Sequence, residues 1–365
     1  MKPFNKESNA IPEHLRQDYF ASLDGLRGIA ILIVVLVHFG LNHYLRFLHI
    51  RIDSRFGVDI FFVLSGFLIT TKLLKEKSER GRISLRNFYL RRALRIIPVV
   101  YLYLIVLIAL SLLGGVMISK KDFLYSFLFL KNLPIPNERF TAHLWTLAVE
   151  WQFYLVFPLL ITYLSINRTL FLCLFIVLVF PLLSIIYTYG NLQGASGPFN
   201  FLMKGINYSF WKGPIILLVG AVASILSFKG VIKHHWKGPH FQSLLLFMLA
   251  LLFNIKNSPL YLPYVSQWAG AILIALVILL NLASDNSLSR LLQTNKLRQL
   301  GVLSYSIYIW QQLFIGWYFY LPGLRHFNQL PIYVLMIIKI SFITVIAYAS
   351  YCLYERQLLR MKEKW

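Results

Sequence analysis

The chain has 365 residues, of which 58% are hydrophobic and only 14% are charged, and its formal net charge at pH 7 is +22. Soluble domains are usually about 45–50% apolar and 25% charged, so this composition excludes an ordinary soluble protein. We therefore predict an all-α, polytopic integral membrane protein. The basic balance alone would suit a nucleic-acid partner, but the sequence has no arginine-rich stripe that requires one, and we predict no nucleic acid.

Ten apolar runs are long enough, or nearly so, to cross a bilayer as helices of about 20 residues. In chain order they cover 23–43, 57–75, 96–118, 143–164, 169–189, 212–228, 241–255, 263–283, 301–320 and 331–354. The run 241–255 is short enough to be a buried helix that does not cross. The stretch 122–132 is shorter still, and we predict an interfacial or re-entrant piece there.

The distribution of basic residues predicts the orientation of these spans. With the amino terminus in the cytoplasm, the cytoplasmic segments hold 23 of the 36 Lys and Arg residues and the outer loops hold 10. This asymmetry follows the positive-inside rule and predicts that both termini are cytoplasmic. We expect a tail over 1–22, one membrane domain over 23–355 and a tail over 356–365, because no other stretch is long enough for a separate domain.

Several features of the sequence have ordinary structural interpretations. No small-residue cleavage site follows His38, so we expect the first helix to be retained rather than removed as a signal peptide. Cys173 and Cys352 lie in apolar runs and suggest packing, and the adjacent His234 and His235 are weak support for zinc, so we predict no metal. The Gly- and Pro-containing stretch 191–200 predicts an outward loop that could help shape an acceptor entrance.

The first predicted span carries two ionisable side chains on one stripe. Arg27 and His38 are eleven positions apart, which on a helix is three turns plus about 20° and a separation of roughly 16 Å along the axis. Ionisable groups within a membrane are expensive and usually mark function. Taken singly, Arg27 suits a snorkelling residue at a helix end and His38 a satisfied buried histidine. Together they suit a long anionic molecule with its charged end at Arg27 and its reactive end at His38.

Two carboxylates and a further histidine lie in later spans. Asp59 begins the second span, where it favours a helix amino terminus or orients a histidine of the first span. Its neighbours Ser65 and Gly66 are small enough for close helix approach. In the fourth span, His143 and Glu150 share a face, and Glu150 either takes part in chemistry or pairs with an arginine as structural support.

Three arginines stand before Pro98 at the predicted cytoplasmic mouth of the third span. Arg91, Arg92 and Arg95 suit phosphate groups, because guanidinium groups bind phosphate oxygens bidentately. Arg91 and Arg95 share a helix face. The alternatives are ordinary positive-inside charge and contact with anionic lipid headgroups.

Four stretches together resemble the acyltransferase 3 family of membrane-bound, acyl-CoA-dependent O-acyltransferases. They are "LDGLRGIAILIVVLVHF", "GVDIFFVLSGFLI", "FYLRRALRIIPVVYLY" and "HLWTLAVEWQFYLVFPLL", with a weaker match in "LSYSIYIWQQ" and "YERQ". The resemblance implies transfer of an acyl group, usually acetyl, from acyl-CoA to a glycan hydroxyl at a bacterial inner membrane. Its partners would be acetyl-CoA as donor, a glycan or lipid-linked glycan as acceptor, and membrane lipid.

The resemblance also implies roles for residues of this sequence. His38 falls on the family's essential histidine, and Arg27 falls on the arginine linked to the acyl donor. The cluster Arg91, Arg92 and Arg95 falls on an arginine motif, and Glu150 on the carboxylate of the Trp motif. We therefore predict His38, Glu150 and Asp59 as catalytic residues, with Asp59 or Glu150 orienting an imidazole, and the four arginines as binding residues.

The sequence departs from the family pattern near its end. Many relatives have a histidine after the late Trp, but here Trp310 is followed by Gln311 and Gln312, and a common proline after "YER" is Gln357. The hydrolase-like extracytoplasmic domain of some members is not expected within these 365 residues. A transporter or flippase for an anionic or lipid-linked substrate is the alternative from another class, whereas a sensor or scaffold has little support because large soluble surfaces are absent.

Overall fold

The computed structural model describes residues 11–114, 116–133, 138–190, 192, 197–205, 213–231, 239–263, 265–315 and 329–361. The β-structure of these residues consists of one isolated antiparallel bridge, between Ile52 and Ile255. The prediction of an all-α protein is confirmed for this part of the chain. His234 and His235, and part of the loop 191–200, lie outside the described residues.

Fifteen α-helices follow one another along the described part of the chain. Their bounds are α1 Ala21–Phe39, α2 Leu41–Leu45, α3 Arg55–Arg80, α4 Leu85–Leu112, α5 Lys120–Phe127, α6 Leu144–Tyr163, α7 Ile166–Tyr189, α8 Pro198–Gly205, α9 Pro214–Phe228, α10 Gln242–Phe253, α11 Val265–Ala283, α12 Ser287–Leu292, α13 Asn295–Ile315, α14 Ile332–Ser350 and α15 Arg356–Met361. A π-helical turn over Tyr351–Glu355 joins the last two.

Each of the ten predicted spans coincides with one of these helices. Within the described residues, seven helices are long and apolar enough to cross a membrane: α1, α3, α4, α6, α7, α11 and the continuous run Ile332–Arg360. Helices α9 and α10 are apolar but shorter, and α13 begins with a polar stretch that includes Lys296 and Arg298. The chain is thus a multi-pass membrane protein, and the count of ten spans stays a prediction. The short helix α5 lies in the stretch predicted to be interfacial.

The centre of the bundle is built by close contacts of α1 with α13 and of α3 with α9. A Cβ atom at Gly66 would overlap the carbonyl oxygen of Leu217, and one at Gly301 would overlap that of Asp24. Glycine therefore allows the backbones to approach at these crossings, as in other membrane helix pairs. The prediction that Gly66 permits a close approach is confirmed, and its partner is α9.

Contacts between connections define two ends of the bundle. At one end, Lys75 near the end of α3 donates to the carbonyls of Arg16 and Gln17 before α1, each at 3.1 Å, and pairs with Asp18. We call this the arginine end, because α4 begins there with its arginine cluster. At the opposite end, which we call the histidine end, the start of α3 meets the α10–α11 connection, where the Asp53 amide donates to the Asn254 carbonyl at 2.9 Å.

Candidate active site

The structure brings three of the predicted arginines together in one cavity. Arg27 from α1 and Arg92 and Arg95 from α4 line a cavity of about 80 Å³, together with Glu150 from α6. The two α4 arginines are three positions apart, so they project from adjacent turns of the same face. Residues that are separated by up to 123 positions in the chain thus form one wall of mixed charge. The four residues belong to three separate motifs, and the fold places all four at one site.

Each arginine in the cavity has a different local partner. Arg27 forms an ion pair of 2.8 Å with Asp24, one helical turn before it. Arg92 is 7% exposed, and its guanidinium carbon lies 5.6 Å from the Phe88 ring centroid and 5.9 Å from that of Tyr154. Its Nε atom is buried without a hydrogen-bond partner among the described residues. The aromatic faces stabilise the buried cation and leave its hydrogen-bond donors for another group.

Glu150 supplies the negative charge of the cavity wall. The Ser65 hydroxyl donates a hydrogen bond to Glu150 Oε1, and Glu150 also lies within electrostatic range of Arg95 and Arg27. The three arginines are opposed by two carboxylates, Glu150 in the cavity wall and Asp24 beside Arg27. By formal charge, the group therefore has one positive charge in excess. The structural alternative for Glu150, support of the arginines, is consistent with these contacts, and its catalytic role stays a prediction.

The cavity continues toward the arginine end into a basic vestibule. Two neighbouring pockets share Arg92 with the cavity and add Lys72 to their walls. Arg91 lines the larger of these pockets rather than the cavity, and its guanidinium is 3.6 Å from the Glu76 carboxylate. Of the three arginines in the predicted cluster, Arg91 therefore lies outside the cavity, although it lines the larger vestibule pocket together with Arg92.

His38 lies near the last turn of α1, at the histidine end. Its Nδ1 atom is 2.7 Å from the Val34 carbonyl oxygen, and its ring is exposed. Because a carbonyl oxygen only accepts, Nδ1 carries the proton and Nε2 is left with a lone pair. His38 does not line the cavity that holds Arg27.

His143 connects the cavity with the surroundings of His38. It is 7% exposed, lies immediately before α6, and is within electrostatic range of His38. Its ring packs edge-on against Tyr103, with the centroids 5.3 Å apart. The Tyr308 hydroxyl, which lines the cavity, donates to the His143 carbonyl at 3.1 Å and accepts from Thr146 at 2.8 Å. The cavity therefore ends against the residues that carry His143.

Asp59 lies apart from both groups. It faces α11, where Gln267 donates to its Oδ1 atom at 3.0 Å, and Arg55 is 3.8 Å from the same oxygen. The pocket that it lines shares no residue with the arginine cavity. Its contacts do not include a histidine of the first span, so the expected orientation of an imidazole by Asp59 has no counterpart in the described contacts. Its catalytic role stays a prediction.

Sequence reasoning missed the polar groups that line the cavity from α3 and α13. Ser65 was interpreted as a small packing residue, yet its hydroxyl faces Glu150. Ser304, Tyr305 and Tyr308 also line the cavity. Tyr308 follows Tyr305 by three positions and Ser304 by four in "LSYSIYIWQQ", a spacing that places it beside each of them on the helix surface.

The late motif has a structural contact in place of the histidine found in many relatives. Gln312 donates to the carbonyl of Arg139, which ties α13 to the segment that leads into His143. Nearby, Glu355 of the "YERQ" motif accepts from Ser306 at 2.6 Å and from Ser350 at 3.0 Å. No group of three His, Cys, Asp or Glu side chains suited to a metal ion occurs among the described residues.

Comparison with known proteins places the whole fold in one family. The family model described as "Acyltransferase domain", of the acyltransferase 3 family, matches residues 20–351. The chain is 30% identical over 330 residues to the peptidoglycan O-acetyltransferase OatA of Listeria monocytogenes, covering 80% of this chain and 49% of that protein. It is 27% identical over 364 residues to the O-acetyltransferase OatA of Staphylococcus aureus, covering 91% of this chain and 56% of that protein.

The chain thus spans about half the length of these curated relatives. No solved structure matches it. The match of the family model extends from just before α1 to the end of α14, so it includes every element that lines the arginine cavity. The chain belongs to the acyltransferase 3 family.

Proposed function

We propose that this protein transfers an acetyl group from cytoplasmic acetyl-CoA to a hydroxyl of a cell-surface or exported glycan, in the cytoplasmic membrane of a bacterium. The observation that carries the proposal is the convergence of Arg27, Arg92 and Arg95 from two helices on one cavity. Membership of the family and the names of the relatives support acetyl transfer. The positive-inside rule supports a cytoplasmic location for the arginine end.

The arginine end is suited to the phosphate groups of acetyl-CoA. Guanidinium groups form charge-assisted, bidentate hydrogen bonds with phosphate oxygens, and Arg92 has a buried Nε donor without a partner among the described residues. Lys72 and Arg91 extend the positive surface outward through the vestibule. In this proposal the cavity arginines hold the donor, and Glu150 limits the repulsion among them.

The histidine end is suited to proton transfer. Nε2 of His38 removes the proton of the acceptor hydroxyl, and the hydroxyl oxygen attacks the acetyl carbonyl carbon. The carbon–sulfur bond then breaks, and CoA leaves as a thiolate that takes up a proton. General base catalysis of this kind typically contributes about 10²–10⁴-fold in rate.

In a second version of the chemistry, His38 Nε2 itself attacks the acetyl carbonyl and carries the acetyl group to the acceptor. CoA leaves as a thiolate in the first step. In the second step the acceptor oxygen displaces the neutral imidazole, and the hydroxyl proton passes to solvent, from which the CoA thiolate takes up a proton. The tautomer set by the Val34 carbonyl serves both versions, because each needs an Nε2 lone pair. Trapping an acetylated His38 after reaction with labelled acetyl-CoA alone separates the two.

The acceptor is proposed to be an exported glycan. The family resemblance alone suggested lipopolysaccharide O-antigen or exopolysaccharide, whereas one relative is named a peptidoglycan O-acetyltransferase. That name makes peptidoglycan the first acceptor to test, and the soluble surface polysaccharides the second.

NMR measurement of ester-linked acetyl groups tests the proposed function. Peptidoglycan and soluble surface polysaccharide are compared from cells with the gene, without it, and complemented by His38→Ala or by the control His43→Ala, which changes an exposed histidine. We expect acetyl esters in one fraction to disappear on deletion and to return with His43→Ala but not with His38→Ala. Unchanged esters in both fractions, together with movement of a glycan across vesicles by the purified protein, would instead support the transporter alternative.

A further inference from the structure

A second polar pocket lies at the histidine end, on the side of α3 that faces α11. It has a volume of about 170 Å³ and lies between the start of α3 and the α10–α11 connection. Backbone hydrogen bonds hold its two walls together: the Asp53 amide donates to Asn254, and the Lys256 amide donates to the Arg51 carbonyl at 2.8 Å. The pocket is therefore bounded by two connections that are fixed to each other.

One buried oxygen in this pocket has no partner. Asp59 is 4% exposed, and Gln267 occupies its Oδ1 atom, but Oδ2 is buried without a hydrogen bond among the described residues. Buried polar atoms in native proteins are nearly always hydrogen-bonded. A carboxylate oxygen only accepts, so the missing partner is a donor such as a hydroxyl group.

The charges in and beside the pocket favour a neutral ligand over an ionic one. Asp59 is within 3.8 Å of Arg55, and Asp53 is 3.3 Å from Lys256, so the two carboxylates are balanced by two cations. A metal ion would need carboxylate oxygens that are not already paired with a cation. An anion would be repelled by both carboxylates. The Gln267 amide adds a further donor and acceptor. A neutral molecule with several hydroxyl groups fits this combination.

The pocket adjoins the proposed reactive end. The Arg55 guanidinium, which lines the pocket, lies 5.4 Å from the centroid of the Trp145 ring. Trp145 stands between His143 and Thr146 in the sequence, and its ring contacts Phe62 of the arginine cavity at a centroid distance of 6.0 Å. Arg55 and Trp145 therefore link the wall of this pocket to Phe62 in the lining of the arginine cavity.

We propose that this pocket is an acceptor subsite that binds the hydroxyl groups of a neutral saccharide unit, with Asp59 Oδ2 as the hydrogen-bond acceptor and Gln267 as its positioning partner. This inference rests on the proposed function, because it assumes that the acceptor is a glycan. It assigns Asp59 to acceptor binding rather than to orientation of an imidazole. The saccharide unit bound here is not the one that is acetylated, since no histidine is among the residues that line the pocket.

Binding of saccharides without any acetyl donor tests the subsite. Two neutral probes, tetra-N-acetylchitotetraose and maltotetraose, are titrated into the purified full chain in detergent and followed by saturation-transfer NMR. We expect wild-type protein to bind at least one probe, and Asp59→Asn and Gln267→Leu to weaken that binding at least tenfold. The control Asp285→Asn, which changes an exposed carboxylate in a surface ion pair, leaves it unchanged.

Acetyl-CoA affinity is measured on the same samples as a check of folding, and values within twofold of wild type show that a variant is intact. Gln267→Leu carries the test if Asp59→Asn fails to fold. Failure of wild type to bind either probe, or unchanged binding by intact variants, would overturn the subsite. If the protein binds saccharides but transfers no acetyl group, the proposed function is overturned and the saccharide site remains. If the variants transfer acetyl groups with an unchanged KM for the acceptor, the subsite is overturned and the proposed function remains.

Discussion

The two ends of α1 have opposite chemical surroundings. Arg27 stands among charged groups, with Arg92, Arg95 and Glu150 in the same cavity. His38 has a backbone carbonyl as its hydrogen-bond partner, and the nearby His143 is surrounded by aromatic rings. The proposed division of labour follows this difference: in it, the charged groups at one end hold a polyanionic donor, and the His38 imidazole at the other end exchanges a proton through Nε2. Four predictions test this division, each through kcat/KM for acetyl transfer.

The largest effect is expected for His38→Ala. Removal of a general base or nucleophile lowers kcat/KM by about 10²–10⁴-fold, whereas His43→Ala is expected to stay near wild type. Acetyl transfer from labelled acetyl-CoA to the acceptor measures both. Near-normal transfer by His38→Ala would remove the histidine end from the mechanism.

Arg27→Ala is expected to lower kcat/KM by about 10–100-fold, because a hydrogen bond to a charged group contributes about 1.5–3 kcal/mol. The loss should lie mainly in KM for acetyl-CoA, and Arg27→Lys should recover only part of it, since lysine cannot bind bidentately. The matched control is Arg290→Ala, which removes an exposed arginine paired with Asp285. A loss confined to kcat would argue against donor binding by Arg27.

Ser65→Ala is expected to reduce kcat/KM by about fivefold to tenfold, because Ser65 acts only through Glu150 and a typical intramolecular hydrogen bond contributes about 0.5–1.5 kcal/mol. The Ser65 hydroxyl donates to Glu150, and without it the carboxylate is free to turn toward the arginines and compete with phosphate. Thr70→Val is the control, because the Thr70 hydroxyl bonds only the Gly66 carbonyl of its own helix. Equal losses in the two variants would show that Ser65 acts through packing alone.

The smallest effect is expected for Arg91→Ala. Arg91 lies in the vestibule, where its ion pair with Glu76 at 3.6 Å is partly open to solvent, and ion pairs at a protein surface contribute about 0.2–1 kcal/mol. We expect kcat/KM to fall by less than about fivefold. The difference between variant and wild type should become smaller at high salt, because salt screens the charge of Arg91. A loss as large as that of Arg27→Ala would show that the vestibule, rather than the cavity, holds the main phosphate group.

Much of the fold could be predicted because hydrophobic length is a direct signal of membrane helices. All ten predicted segments contain a helix, and α5 falls in the segment judged too short to cross. The prediction was less accurate at helix starts. α4 begins at Leu85, well before the apolar run, because its first turns carry the arginines that line the cavity and vestibule. Composition marks where a helix enters hydrocarbon, and it does not mark where the helix begins.

The site was only partly predictable, because which side chains meet depends on helix rotation and packing. Arg27, Arg92, Arg95 and Glu150 meet as their motifs suggested. Asp59 lies outside the arginine cavity and faces α11, where Gln267 is its partner. Its place in a motif could not predict this, since the packing of α3 against α11 decides its partners. In the same way, Ser65 was assigned to packing because the sequence does not show that α6 presents Glu150 to it.

The division of labour along α1 is tested most directly by equilibrium binding of acetyl-CoA to wild type, Arg27→Ala and His38→Ala in detergent. The account predicts that Arg27→Ala weakens binding by about tenfold or more, whereas His38→Ala binds within about twofold of wild type while it transfers no acetyl group. Tight binding by Arg27→Ala, or loss of binding by a folded His38→Ala protein, would contradict it.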